Sequence, residues 1–239
     1  MLKKADAIVV PSKKVRHLLD SYDIHLPTYV IPTGINTEKF SEKPPDFWIY
    51  QKKQEYGIPD KNLVLLYIGR LAKEKNIEEL LFCMSFLAGK GITLLMIGDG
   101  PYRSRLEQIT VELGLNLYVI WGGMVPPEQI GTYYHLGDVF VNASTSETQG
   151  LTYIEALSAA LPMLCHKDDC LAGVIEDGKN GWQYNNPEEF VRYALIFRDQ
   201  IHLRNSMSEY AARKAEEFSR DVFADRLETL YFRIARESQ

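Results

Sequence analysis

Glu147 and Glu155, with seven residues between them, stand where a polar loop, Ser144 to Gln149, turns at Gly150 into an apolar helical run. Glu155 is the odd member. Its neighbours Leu151, Ile154, Leu157, Ala159 and Leu161 describe a helix buried on most sides, where an unpartnered charge is costly. A pair of ligand hydroxyls would satisfy it. The amides of Gly150, Leu151 and Thr152 open the same helix, and the first N–H groups of a helix form an anion site suited to a diphosphate. The plainer alternative has Glu147 complementing the helix dipole and Glu155 pairing with a basic residue.

A second set of candidates is basic. Gly69, Arg70, Lys73, Lys75 and Asn76 follow the apolar run Leu63 to Ile68, and a parallel sheet binds ligands at the loops beyond the carboxyl ends of its strands. There Gly69 would admit a ligand close to the backbone, and Arg70 with Lys75 could hold two phosphates without a metal. A solvated basic loop is the competing reading. Gly98 to Pro101 and Gly122-Gly123 follow the next two apolar runs. Each alone reads as a turn, but three successive strand ends with such loops mark one rim. No metal site is expected, because no Asp-x-Asp pair occurs and Asp168-Asp169 have no ligand histidine in register.

The elements that must position these groups alternate from residue 60 onward. Leu63 to Ile68, Thr93 to Ile97, Leu117 to Trp121, Asp138 to Asn142 and Pro162 to His166 read as five buried parallel strands. Helical stretches lie between them, as in an α/β Rossmann-like sheet with helices on both faces. Helix starts are expected at Asn76 with Glu79, near Tyr102 with an end at Gly114, at Pro127, and at Asn186-Pro187-Glu188-Glu189, where the asparagine caps and Glu189 reaches back to it. Ala7 to Val10 and Pro27 to Ile31 look like strands flanking a short helix, Ser12 to Asp20, and read as the end of something larger. A helix leads to Gly57, and the stretch from Asn205 carries Phe218, Phe223, Leu227 and Leu230 on helices that need a partner surface.

Composition limits the function classes. The 239 residues, 46% hydrophobic and 25% charged, suffice for one or two folded domains. A net charge of −5 argues against a nucleic-acid partner. Cys83, Cys165 and Cys170 have neither disulfide nor zinc spacing and suit a reducing cytosol. No apolar run approaches a membrane span, so the expected place is the cytoplasm, at most peripheral to a membrane.

Together these residues resemble glycosyltransferase family 4, retaining enzymes of the GT-B fold in which two Rossmann-like domains face a cleft. The resemblance rests on Gly69-Arg70 with Lys75-Asn76, Gly98 to Pro101, the Gly122 to Tyr134 segment, and the spaced glutamates. It implies that Glu147 contacts the donor sugar and Glu155 holds the ribose hydroxyls. The amides of Gly150, Leu151 and Thr152, beside Thr148, would hold phosphate, and Arg70 with Lys75 would neutralise the leaving diphosphate. Backbone near Met124 and Val125 would contact the base, with Gly69 and Gly98 on the donor side of the rim. Ala160 departs from the pattern, since relatives often carry glycine there. Residues 148–153 and 169–181 look particularly like bacterial enzymes that glucosylate diacylglycerol from UDP-glucose.

The resemblance further implies a division of the chain. Residues 1–40 would be the remnant of an N-terminal acceptor domain, 41–204 the nucleotide-sugar domain, and 205–239 helices that return to that missing N-terminal domain. The expected partners are a nucleotide-sugar donor and a lipid acceptor at the membrane surface, with no cofactor or metal, and little transfer from this chain alone. A free-standing nucleotide-sugar-binding module and a sugar-nucleotide epimerase of the same architecture stay open as alternatives.

Overall fold

The computed structural model describes residues 5–22, 24 and 26–237. It begins with β1 (Ile8–Val10), α1 (Lys13–Ser21) and β2 (Thr28–Val30), followed by α2 (Glu38–Ser41) and α3 (Asp46–Glu55). Strands and helices then alternate: β3 (Leu63–Ile68), α4 (Ile77–Ser85), β4 (Ile92–Ile97), α5 (Arg103–Glu112), β5 (Val119–Gly123), α6 (Ile130–Tyr134), β6 (Val139–Asn142) and α7 (Leu151–Ser158). β7 (Met163–His166), β8 (Gly181–Tyr184), α8 (Pro187–Asp199), α9 (Ile201–Ala215) and α10 (Arg220–Glu237) complete it.

Six of these strands form one sheet in the order β5-β4-β3-β6-β7-β8, every neighbouring pair parallel. Parallel neighbours need crossovers, and the crossover helices cover both faces. Every residue of β3 and β4 is therefore buried. Successive side chains enter opposite cores: Val64, Leu66 and Ile68 join Phe140 and Tyr153 on one face, Leu63, Leu65 and Tyr67 join Val141 and Tyr184 on the other.

The α/β arrangement and all five expected strands are present, although Leu117–Trp121 is displaced to Val119–Gly123. A count of five strands is nonetheless corrected to six. β8 is Gly-Trp-Gln-Tyr, without the aliphatic run that marks its neighbours. It joins the sheet because Gly181, at φ 149°, lies where a Cβ would come 2.1 Å from the Met163 carbonyl oxygen, and because Trp182 stacks on Tyr193 of α8 at 4.8 Å.

The helix starts differ in detail. The Asn186 side chain accepts from the Glu189 amide at 2.9 Å as expected, but the Glu189 carboxylate reaches one residue further, to the Asn185 amide at 2.8 Å. Asn76 takes a left-handed backbone, φ 52°, and its side chain does not cap α4; it donates instead to Glu79 Oε2 at 2.6 Å. The helix expected at Pro127 begins at Ile130. Ala160 sits at φ 58°, a conformation in which glycine is unstrained and alanine is not.

The two ends of the described chain meet. β1 and β2 pair in parallel as a separate sheet. Ile35 bridges Ser219, a Cβ on Gly34 would lie 2.6 Å from the Phe223 Cβ, and Arg233 of α10 lies 4.6 Å from the Tyr29 ring. α9, by contrast, packs on α7 and buries Ala211 and Ala215 in the sheet's core.

Candidate functional site

Strand order turns beside β3: the chain runs outward through β4 to β5, then returns to the other side of β3 as β6. At such a switch point the two crossovers leave to opposite faces and a crevice opens beyond the carboxyl ends. A cavity of about 480 Å³ lies there. Gly69, Arg70 and Lys75 wall it after β3, Asn142 at the end of β6, and Glu147 through Thr152 on the loop that enters α7. A larger groove of about 610 Å³ between α4 and α8 is lined by Phe86, Val191, Leu195 and Ile196 with Lys90, Glu188, Arg192 and Asp199 around them, but it lies away from the loops at the carboxyl ends of β3 and β6.

The α7 entrance is set by Gly150. Its φ of 68° is one that glycine adopts freely, and a Cβ there would come within 2.3 Å of the Tyr153 ring. No side chain caps the helix. Its first amides therefore reach the cavity wall without a side-chain acceptor, the arrangement that favours an anion.

The loop before it is held from several directions. Asn142 Oδ1 accepts from the Ser144 amide at 2.8 Å, Ser146 donates to the Glu74 carbonyl at 3.0 Å, and Gln149 donates to the Thr33 carbonyl at 3.2 Å. Ser12, which caps α1, donates to the Thr148 carbonyl, while Lys14 donates to the Thr145 carbonyl and pairs with Asp168.

Both candidate cations have carboxylate partners. Lys75 pairs with Glu147 at 2.5 Å, with side chains only 20% and 16% exposed, and Arg70 pairs with Glu74 on the surface. The cavity thus brings together Gly69, Arg70, Lys75, Glu147, Thr148, Gly150, Leu151 and Thr152. Glu155, Gly98, Met124 and Val125 lie outside its lining.

Glu155 is half-buried and accepts from the Tyr134 hydroxyl at 2.6 Å. Its partner is a neutral phenol rather than the basic residue of the alternative reading. Burial raises its carboxyl above the usual range, against the lowering effect of the Tyr134 hydrogen bond and the Lys39 charge. Gly98 interlocks the rim: a Cβ on it would fall 2.0 Å from the Gly69 oxygen, its amide donates to Gly123 at 2.7 Å, and Leu71 donates to Asp99 at 2.9 Å. Met124 is 78% exposed, and Val125 packs against the core.

Sequence reasoning missed Pro11, Tyr67, Asn142 and Gln149 as cavity residues and Tyr134 as the partner of Glu155. Asn142 had a signal, a polar residue ending an apolar strand. Gln149 stands in the polar loop before Gly150, Tyr67 in the apolar run before Gly69 and Tyr134 at the end of the Gly122 to Tyr134 segment. Nothing in the sequence marks Pro11, which meets the other lining residues only across distant segments. Cys83, Cys165 and Cys170 are buried free thiols. Among the described residues no helix is long and apolar enough to cross a membrane.

Residues 49–214 match the family model described as glycosyl transferases group 1. The alpha-monoglucosyldiacylglycerol synthase of Acholeplasma laidlawii is 33% identical over 232 residues, which cover 96% of this chain and 58% of that protein. Its namesake in Streptococcus pneumoniae is 32% identical over 235 residues, 96% of this chain and 52% of the relative. The chain therefore spans little more than half the length of these relatives. Anabaena HepE, solved in complex with UDP and glucose, shares the fold at a TM-score of 0.85 and 20% identity, over 95% of this chain and 63% of HepE. With a family match along residues 49–214 and a relative 33% identical over 96% of this chain, the chain belongs to the group 1 glycosyl transferases.

Proposed function

We propose that the switch-point cavity is the donor site of a retaining hexosyltransferase, which takes a nucleotide diphosphate sugar, UDP-glucose, and passes the hexose to a lipid acceptor. The observation that carries this reading is the meeting of an uncapped helix entrance with Arg70, Lys75 and Glu147 in one cavity. The diphosphate accepts from the amides of Gly150, Leu151 and Thr152 beside Thr148. Arg70 and Lys75 exchange their carboxylate partners for phosphate oxygens, and Glu147, released from Lys75, turns to the sugar hydroxyls. Glu155 holds the ribose diol, the backbone at Met124 and Val125 takes the base, and Gly69 and Gly98 keep the rim loops close enough for the ligand to lie between them.

As the bond between the anomeric carbon and the β-phosphate oxygen breaks, negative charge grows on the diphosphate. Cations and amides already in place stabilise that charge without reorganising. The acceptor hydroxyl bonds to the same face of the sugar and its proton passes to the departing phosphate oxygen, so configuration is retained. Charge neutralisation falls to the two side-chain cations, and no metal ion takes part in this reading.

The names of the two relatives, synthases of monoglucosyldiacylglycerol, support a diacylglycerol acceptor and work at a membrane surface. Three free thiols suit the cytoplasmic face. We assign residues 41–204 to donor binding together with the rest of α9, which runs on to Ala215 in the same core, and residues 1–40 with those after 215 to the link with an acceptor half. Since the chain matches little more than half of each relative, the 239 residues by themselves are expected to bind donor and transfer little sugar.

Titration calorimetry tests the site. Lys75→Ala should lower UDP affinity about tenfold, the worth of a hydrogen bond to a charged group, and lower the melting temperature as well, because Glu147 is left largely buried without its partner. Arg70→Ala, at an exposed pair, should weaken UDP binding with the melting temperature little changed. Full affinity in both Lys75→Ala and Arg70→Ala would sink the assignment.

A further inference from the structure

Tyr134 is completely buried, and its ring is wedged edge-on against Phe40 at 5.6 Å and tilted on Phe140 at 6.0 Å. Nothing in that packing leaves the ring free to swing. Its hydroxyl donates to Glu155 Oε2 at 2.6 Å, with the Thr152 carbonyl 3.5 Å away as a weaker acceptor. Burial pushes the phenol well above its ordinary pKa, so the group stays a donor wherever the protein is folded.

We propose that Tyr134 is the positioning residue of the donor site: it fixes one oxygen of Glu155 so that the other is presented, still charged, to the ribose diol. The inference rests on the reading of Glu155 as the ribose-binding group. A free glutamate loses side-chain freedom when it grips a ligand; here the phenol removes that freedom on folding, so ligand binding need not supply it. A lysine or arginine in the same place would also fix the carboxylate, but it would compete with the diol for the negative charge. Lys39, the charged side chain that acts on Glu155 from α2, is turned elsewhere: its ammonium donates to the Pro127 carbonyl at 2.6 Å and lies over the Phe40 ring. From α6 it is Tyr134 that faces Glu155, and it brings no charge.

The test pairs two ligands with two proteins: UDP-glucose and its 2′-deoxyribose analogue, titrated into the unmodified chain and Tyr134→Phe between pH 5 and 8. Phenylalanine keeps the packed ring and removes only the hydroxyl. UDP-glucose affinity should fall about tenfold, while affinity for the 2′-deoxy analogue changes little, so the preference for the intact ribose shrinks. The pH below which UDP-glucose affinity declines should move upward, because the Glu155 carboxylate has lost one of the groups holding its proton off. A Tyr134→Phe protein with undiminished ribose preference and an unshifted pH profile overturns the positioning role. If the unmodified chain does not distinguish the two ligands, the ribose assignment of Glu155 fails first and the proposal with it. A variant cycle guards against a folding artefact: in a Glu155→Gln background Tyr134→Phe should cost almost no further affinity, and additive losses would contradict the proposal.

Discussion

Glu155 meets opposite demands in folding and in binding. Its folded-state carboxyl is raised by burial, so carrying the charge costs stability at neutral pH, and that cost disappears as pH falls through the raised value and the group protonates. Binding a diol needs the charge and runs the other way. Glu155→Gln keeps the volume and an acceptor for the Tyr134 hydroxyl while discarding the charge. Its melting temperature at neutral pH should equal or exceed that of the unmodified protein, with the difference fading at acid pH, while UDP affinity falls about tenfold. A Glu155→Gln protein that melts lower at pH 7 and binds UDP normally would make Glu155 a structural residue. At this scale the sequence was informative about charge and silent about partners: a carboxylate in an apolar helix could be read directly, whereas its phenol, 21 residues earlier, belongs to no periodic pattern.

Among the elements, the rim is built by backbone meeting backbone. The loops after β3 and β4 touch so closely that Gly98 has no room for a side chain, with the Gly69 oxygen 2.0 Å from where its Cβ would stand. Gly98→Ala combines that clash with a φ of 134° and should cost roughly 1–3 kcal/mol of stability. Because it displaces the loop that carries Arg70, it should also weaken UDP binding. Gly114→Ala is the control: its φ is 67°, but nothing lies within 4 Å of the added methyl, so about 1 kcal/mol should be lost and UDP affinity kept. Urea unfolding and calorimetry on both variants separate a strained turn from a strained site. The glycines were legible as turn residues, but the clash was not, since a close approach of two loops depends on strand order. The same limit hid β8, four residues recruited by Gly181 and Trp182 rather than by an aliphatic run.

For the whole molecule, the decisive feature is that a parallel sheet reverses its winding beside β3, which puts the cation loop and the α7 entrance on the same crevice. The alternation of strands and helices made the sheet readable, and the motifs that carry the resemblance pointed to residues that line the switch-point cavity. Neither foretold that Ser12 and Lys14, from outside the sheet, would hold the Glu147 loop, because such contacts exist only once the chain has closed on itself. A diphosphate held at the entrance of α7 between Arg70 and Lys75 would be visible in a crystal structure of this chain soaked with UDP. Phosphate oxygens should lie within hydrogen-bond distance of the Leu151 and Thr152 amides, Lys75 should have moved from Glu147 onto phosphate, and the ribose hydroxyls should sit on Glu155. UDP bound elsewhere, or bound here with the Lys75–Glu147 pair intact and the α7 amides untouched, would contradict that placement.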